Sequence, residues 1–170
     1  MSTDYIVASL QPLAFDAPPP YTAEQFAAIA GNVELPAAWR DLEGQMRNAI
    51  AEERARMNSV RGTGETDASK WKRPTEGCML YWTNRARAAC AEKDPVKRDS
   101  AIDRVFWDAA GELTPPASPL SRGALQTYAI RLGIALKRAS RSTEAGNAVL
   151  DKLLTVSFDI HKTPSNSSTP

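Results

Sequence analysis

The stretch LPAAWRDLEGQMRNAIAEERARMNSV, residues 35–60, sets the architecture. Its apolar side chains fall at Trp39, Leu42, Met46, Ala49, Ile50 and Met57, the three- and four-residue spacing of one helix face. Arg40, Glu43, Arg47 and Arg54 fall on the other side, and Pro36 suits a first helical turn. At the α-helical rise these 26 residues extend about 39 Å. A compact globule of this chain length is about 40 Å across. One helix is therefore predicted to cross the whole domain, which favours an elongated helical stack.

Upstream, Thr22–Ala23–Glu24–Gln25 has the spacing of a capping box, and Phe26, Ile29 and the stop at Gly31–Asn32 complete a short helix. Asp16–Ala17–Pro18–Pro19–Pro20 is a stiff linker, since three prolines fit neither a helix interior nor a central strand. Ile6 to Leu10 alone has strand character, and a single strand has no partner. Downstream, residues 61–73 form a polar connection with Gly62 and Gly64. Pro74 or Thr75 is predicted to open a helix through Tyr81, Trp82, Ala86 and Ala89 that ends near Lys93. Cys78 and Cys90 would then share a buried helical face, about 18 Å apart and too far for a disulfide.

Asp94–Pro95 caps a third long helix with Ile102, Val105, Phe106, Ala109 and Leu113 inward. Thr114–Pro115–Pro116–Ala117 breaks the chain. Ser118–Pro119 then starts a helix through Leu125, Tyr128, Ala129, Leu132, Ala135 and Leu136 that ends in Lys137, Arg138 and Arg141. A final helix is predicted from about Thr143 through Val149, Leu150, Leu153 and Leu154. Residues 163–170 are rich in Ser, Thr, Pro and Asn and cannot build a core. The expected architecture is all-α: an elongated bundle of about five to six helices, one domain over residues 1–162, and a disordered tail at 163–170.

Of 170 residues, 42% are hydrophobic and 24% charged, the balance of an ordinary globular domain. No apolar run is long enough to span a membrane. The net charge of +1 argues against general affinity for nucleic acid. Its distribution is uneven, −5 over residues 1–45 and +4 over residues 46–93. The acidic front either packs on the basic remainder or leaves a dipolar surface that steers docking. Asp4 stands where a secretory signal needs positive charge, and two cysteines fit a reducing compartment, so the cytoplasm is expected.

Catalytic groups are hard to assemble from this string. His161 is the one histidine, without an orienting acid or nucleophile nearby in sequence. The cysteines lack zinc-site spacing. Asp99 and Asp103, and Asp108 and Glu112, lie four apart but without the Glu-x-x-His of di-metal bundles, and read as solvated helix acids. Gly62–Thr63–Gly64 has no Gly-Lys-Ser/Thr behind it and is no phosphate loop. No catalytic, metal or cofactor-binding residue and no small-molecule substrate is expected. Lys70–Trp71–Lys72–Arg73 is the one group with binding character: an aromatic among three bases can anchor a protein interface or stack on a nucleobase.

The order of these signals resembles a known family. Tyr5–Ile6–Val7–Ala8–Ser9–Leu10–Gln11–Pro12–Leu13–Ala14–Phe15–Asp16 is similar to the opening of a bacterial family of unknown function encoded beside V-type ATPase subunits. Leu42 to Ile50, with Arg47–Asn48, resembles that family's next helix. Asp99 to Leu113, holding Val105–Phe106–Trp107–Asp108, resembles its acidic-aromatic helix, and Leu125 to Leu132 the Leu-x-x-Tyr helix that follows. The family is in turn similar to the central-stalk component called C (or d) in V-type and archaeal-type ATPases, the all-α socket that seats the rotor shaft on the proteolipid ring. The resemblance implies a non-catalytic subunit or accessory at the inner membrane's cytoplasmic side. Its partners would be central-stalk and ring proteins, with the membrane touched only through the complex. Contacts are expected at Lys70, Trp71, Lys72, Arg73, Arg131, Lys137 and Arg138. The alternative is a small helical protein that binds nucleic acid through Lys70–Arg73 and the basic stretch around it.

Overall fold

The computed structural model describes residues 2–114 and 117–141. All regular structure among them is helical: α1 (Thr3–Ser9), α2 (Ala23–Ala30), α3 (Ala37–Arg61), α4 (Leu80–Cys90), α5 (Pro95–Ala110) and α6 (Arg122–Ala139). Single 3₁₀ turns lie at Ala68–Trp71 and Gly111–Leu113. The fold class is all-α, as the periodicity predicts. The final helix expected over Thr143–Leu154, the tail at 163–170 and His161 lie outside the described residues. The chain divides into two compact units, residues 1–136 and 137–170, and the hydrophobic clusters formed by the described residues lie in the first.

Helix α3 forms where the sequence places it. It ends at Gly62, whose φ of +66° is a left-handed conformation that any side chain would strain. The Gly62 N–H closes on the carbonyls of Asn58 and Ser59. The predicted capping box on α2 is complete: Thr22 Oγ1 accepts from the Gln25 N–H, and Gln25 Oε1 accepts from the Thr22 N–H.

The main core joins Trp39, Leu42, Met46 and Ile50 of α3 to Trp82, Ala86 and Cys90 of α4. Val105, Phe106 and Ala109 of α5 and Ile130 of α6 complete it. Met46, Cys90 and Ala109 have no exposed surface, so this seam is packed to the backbone. A smaller cluster sets Phe15 edge-on against Trp107 with Ala135. A third gathers Phe26, Leu125 and Leu132 with Ile6, Val7, Leu10 and Tyr128.

Several local expectations are corrected. Ile6–Leu10 is not a strand: residues Thr3–Ser9 are helical, and Ile6, Val7 and Leu10 present one helical face to the third cluster. The helix expected from Pro74 starts only at Leu80 and ends at Cys90, because side chains of α3 hold the intervening segment in non-helical form. Cys78 therefore precedes the helix and is exposed, and only Cys90 is buried. Helix α6 starts at Arg122 rather than at Ser118–Pro119, with Ser121 Oγ accepting from the Ala124 N–H.

Asp103 is 3% exposed and is not a solvated acid. It shares a stripe with Trp107 and Ala110, and α5 is covered on that stripe as well as on the Val105–Phe106–Ala109 face. The acidic front does reach basic residues further on, through Asp16 with Arg104 and Glu34 with Arg122, at 4.0 and 3.9 Å.

Met46→Ala removes the one long side chain with zero exposure among the described residues and leaves a cavity between α3, α4 and α5. The expected loss is about 2–5 kcal/mol by urea denaturation, against less than about 1.5 kcal/mol for Met46→Leu. Equal losses in the two variants would show that this seam is not the packed centre.

Candidate functional site

Beside its apolar face, α3 carries Asp41, Gln45, Asn48 and Glu52 at four- and three-residue steps, a single polar stripe. The segment from Lys72 to Met79 lies along it. Asn48 holds one residue at both its main-chain groups: Oδ1 accepts from the Arg73 N–H at 2.8 Å and Nδ2 donates to the Arg73 carbonyl at 2.9 Å. Asp41 accepts from the N–H groups of Glu76 and Gly77 and from Gln45 Nε2, at 2.6, 3.2 and 2.6 Å. Gln45 Oε1 accepts from the Met79 N–H at 2.6 Å. Glu52 ends the stripe with ion pairs to Lys72 and Arg87 at 2.7 and 2.9 Å. Main-chain donors that no strand satisfies are thus satisfied by helix side chains.

Close approach needs Gly77, where an added Cβ would stand 2.7 Å from Gln45 Nε2 and 3.0 Å from Asp41 Oδ2. The Glu76 N–H, helped by the Gln45 amide and the Gly77 N–H, holds the Asp41 carboxyl below its ordinary range.

The tethered segment delivers Cys78, Met79, Leu80 and Tyr81 to the surface in succession. Leu80 and Tyr81 are each 63% exposed, and Trp82 then turns into the core. The Arg85 guanidinium stands over the Tyr81 and Trp82 rings at 5.7 and 5.0 Å and pairs with Asp108 at 3.1 Å. Arg104 shares that carboxylate at 3.2 Å and covers the Phe15 ring at 4.8 Å. Arg85 and Arg104 share Asp108, Asp16 stands 4.0 Å from Arg104, and this charged cluster borders exposed apolar area. Tyr, Trp and Arg in such a setting are the residue types that carry protein interfaces.

The sequence-predicted contact residues lie on separate elements. Lys70, Trp71, Lys72 and Arg73 are together beside α3, with Trp71 half exposed on its 3₁₀ turn. Lys70 is paired with Glu65 and Lys72 with Glu52, which leaves fewer free charges than the sequence suggests. Arg131 packs against the end of α5, its Nε donating to the Trp107 carbonyl at 3.1 Å with the guanidinium over the Trp107 ring. Lys137 and Arg138 belong to the second unit, at the end of α6.

Sequence reasoning missed Leu80, Tyr81, Arg85, Arg104 and Asp108 as a group. One signal was available: Met79–Leu80–Tyr81–Trp82 is four consecutive apolar residues, and a helix cannot turn four in a row toward one core. No group of acids, cysteines or histidines that could hold a metal lies among the described residues. No helix among them is long and apolar enough to cross a membrane. No protein-family model, curated protein or solved structure matches the chain.

Two measurements test this geometry. Because Asp41 has a lowered carboxyl pKa in the fold, its contribution to stability is complete above the ordinary aspartate value of 3.8 and is lost as pH falls through the folded value. Wild-type stability is expected to fall more steeply than that of Asp41→Asn as pH is lowered through this range, by denaturant titration at each pH. A double-mutant cycle between Arg85→Ala and Asp108→Ala should give a coupling of about 0.5 kcal/mol that shrinks with added salt, since both groups are partly solvated.

Proposed function

We propose that this protein is a non-catalytic docking subunit that works through protein–protein contacts, with the Leu80–Tyr81–Arg85 face of α4 as its contact surface. The observation that carries this reading is the pair of consecutive large apolar side chains left mostly solvent-exposed beside arginines that already stack on aromatic rings. Exposed apolar area rimmed by charge is the usual mark of an interaction site. The stripe on α3 fixes the segment leading into α4, so the face is pre-organised and loses little entropy on binding.

The more specific setting is a V-type or archaeal-type ATPase, with central-stalk and ring proteins as partners and the membrane contacted only through them. That assignment is carried by the order of short motifs from Tyr5 to Leu132. Binding of nucleic acid through Lys70–Arg73 is the weaker reading, because Lys70 and Lys72 are each engaged by a glutamate and Trp71 offers a single ring.

Tagged full-length chain, expressed in its own cells, is expected to co-purify with the rotary complex. Leu80→Asp with Tyr81→Ala should reduce that recovery at least about tenfold, the size of an interface hot spot. At 63% exposure the same changes should alter stability by no more than about 0.5 kcal/mol each. Recovery of all the other stalk subunits without this chain would reject the rotary setting. Undiminished recovery of the double variant would reject the surface.

A further inference from the structure

A second feature involves α1 and α6. A cleft of about 280 Å³ opens between the chain leaving α1 and the first turns of α6. Val7, Leu10 and Leu13 form its apolar side, and Thr114, Tyr128 and Arg131 its polar side. Its volume is at the small end of ligand pockets, too small for a nucleotide and sufficient for a short-chain metabolite.

The hydroxyl protons of the polar side are used within the protein. Thr114 donates to Thr127 Oγ1, and Tyr128 donates to the Gln11 carbonyl at 2.9 Å. Burial, with the nearby Tyr21, pushes the Tyr128 phenol up to about 12, so it stays neutral. Arg131 is the one charged residue among those lining the cleft. Its Nε is bonded to the Trp107 carbonyl, and no carboxylate lies within ion-pair distance of it among the described residues. Asp108 reaches it only at longer range and is already shared by Arg85 and Arg104.

The guanidinium lies close against the backbone: a Cβ on Gly111 would stand 2.8 Å from Arg131 Nη2. A half-buried guanidinium is fixed by its Nε and by a ring beneath it, and no hydrogen bond from its Nη atoms is formed among the described residues; a guanidinium fork of this kind receives a carboxylate.

We propose that this cleft binds a small organic carboxylate with an apolar tail, the carboxylate on the Nη atoms of Arg131 and the tail against Val7, Leu10 and Leu13. The site is independent of the α4 docking face, and its failure would leave that reading untouched.

Calorimetric titration of the full chain with octanoate, with octanol and octylamine as comparison ligands, tests the proposal. Octanoate is expected to bind saturably and at least about tenfold more tightly than either comparison, the worth of a charge-assisted hydrogen-bond pair. Arg131→Gln should weaken octanoate about tenfold or more. Gly111→Ala keeps the charge and suits its backbone φ of −60°, but displaces the guanidinium, and should weaken octanoate severalfold while the circular dichroism spectrum is unchanged. Octanol binding as tightly as octanoate, octanoate affinity preserved in both variants, or no saturation at millimolar octanoate would each overturn the proposal.

Discussion

The polar stripe of α3 governs the candidate docking surface. Asp41, Gln45, Asn48 and Glu52 take the place of a neighbouring strand for the segment from Lys72 to Met79. Because α3 is itself held by Trp39, Leu42, Met46 and Ile50 in the main core, the tether fixes that segment to a helix built into the core. Without it, the residues ahead of α4 would extend the helix or fray, and Leu80 and Tyr81 would have no defined place. The stripe is mostly hydrogen bonds from side chains to main chain, with one carboxylate satisfying two N–H groups and an amide. Such bonds are individually modest, but breaking one leaves a main-chain donor unpaired.

The two polar features of the fold use arginine in different ways. On the α4–α5 face, Arg85 and Arg104 divide one aspartate and cover aromatic rings, which keeps them ordered yet accessible to a partner. Near α6, Arg131 is anchored through a main-chain carbonyl and a tryptophan ring, with its carboxylate neighbour already occupied. Glycine makes both arrangements possible: Gly77 lets the tethered segment meet the Gln45 amide, and Gly111 leaves room for the Arg131 guanidinium.

Helix content was legible wherever an apolar period ran for several turns, as in α3, α5 and α6, or where a cap was written in the sequence, as at Thr22 and Asp94. The start of α4 was not, since Pro74 looks like a helix opener and nothing local reveals that residues 41–52 hold the next turn open. That is a tertiary effect between positions more than 20 apart in sequence. The Ile6–Leu10 segment was similarly ambiguous, because five apolar-rich residues carry too little period to separate strand from helix. The candidate surface was legible in part. Lys70–Arg73 stood out by composition, but the ion pairs that occupy Lys70 and Lys72 were invisible. Arg85, Arg104 and Asp108 looked like ordinary helix charges, and only the packing of α4 on α5 brings them together.

Native-state hydrogen exchange of the full chain, resolved by residue, is the sharpest probe of the α3 tether. If α3 side chains hold the segment ahead of α4, the amides of Arg73, Glu76, Gly77 and Met79 should exchange far more slowly than those of Thr75 and Cys78 between them, although none belongs to a helix or sheet. Exchange of all six at the rate of a free peptide would contradict the tether, and with it the pre-organised α4 face.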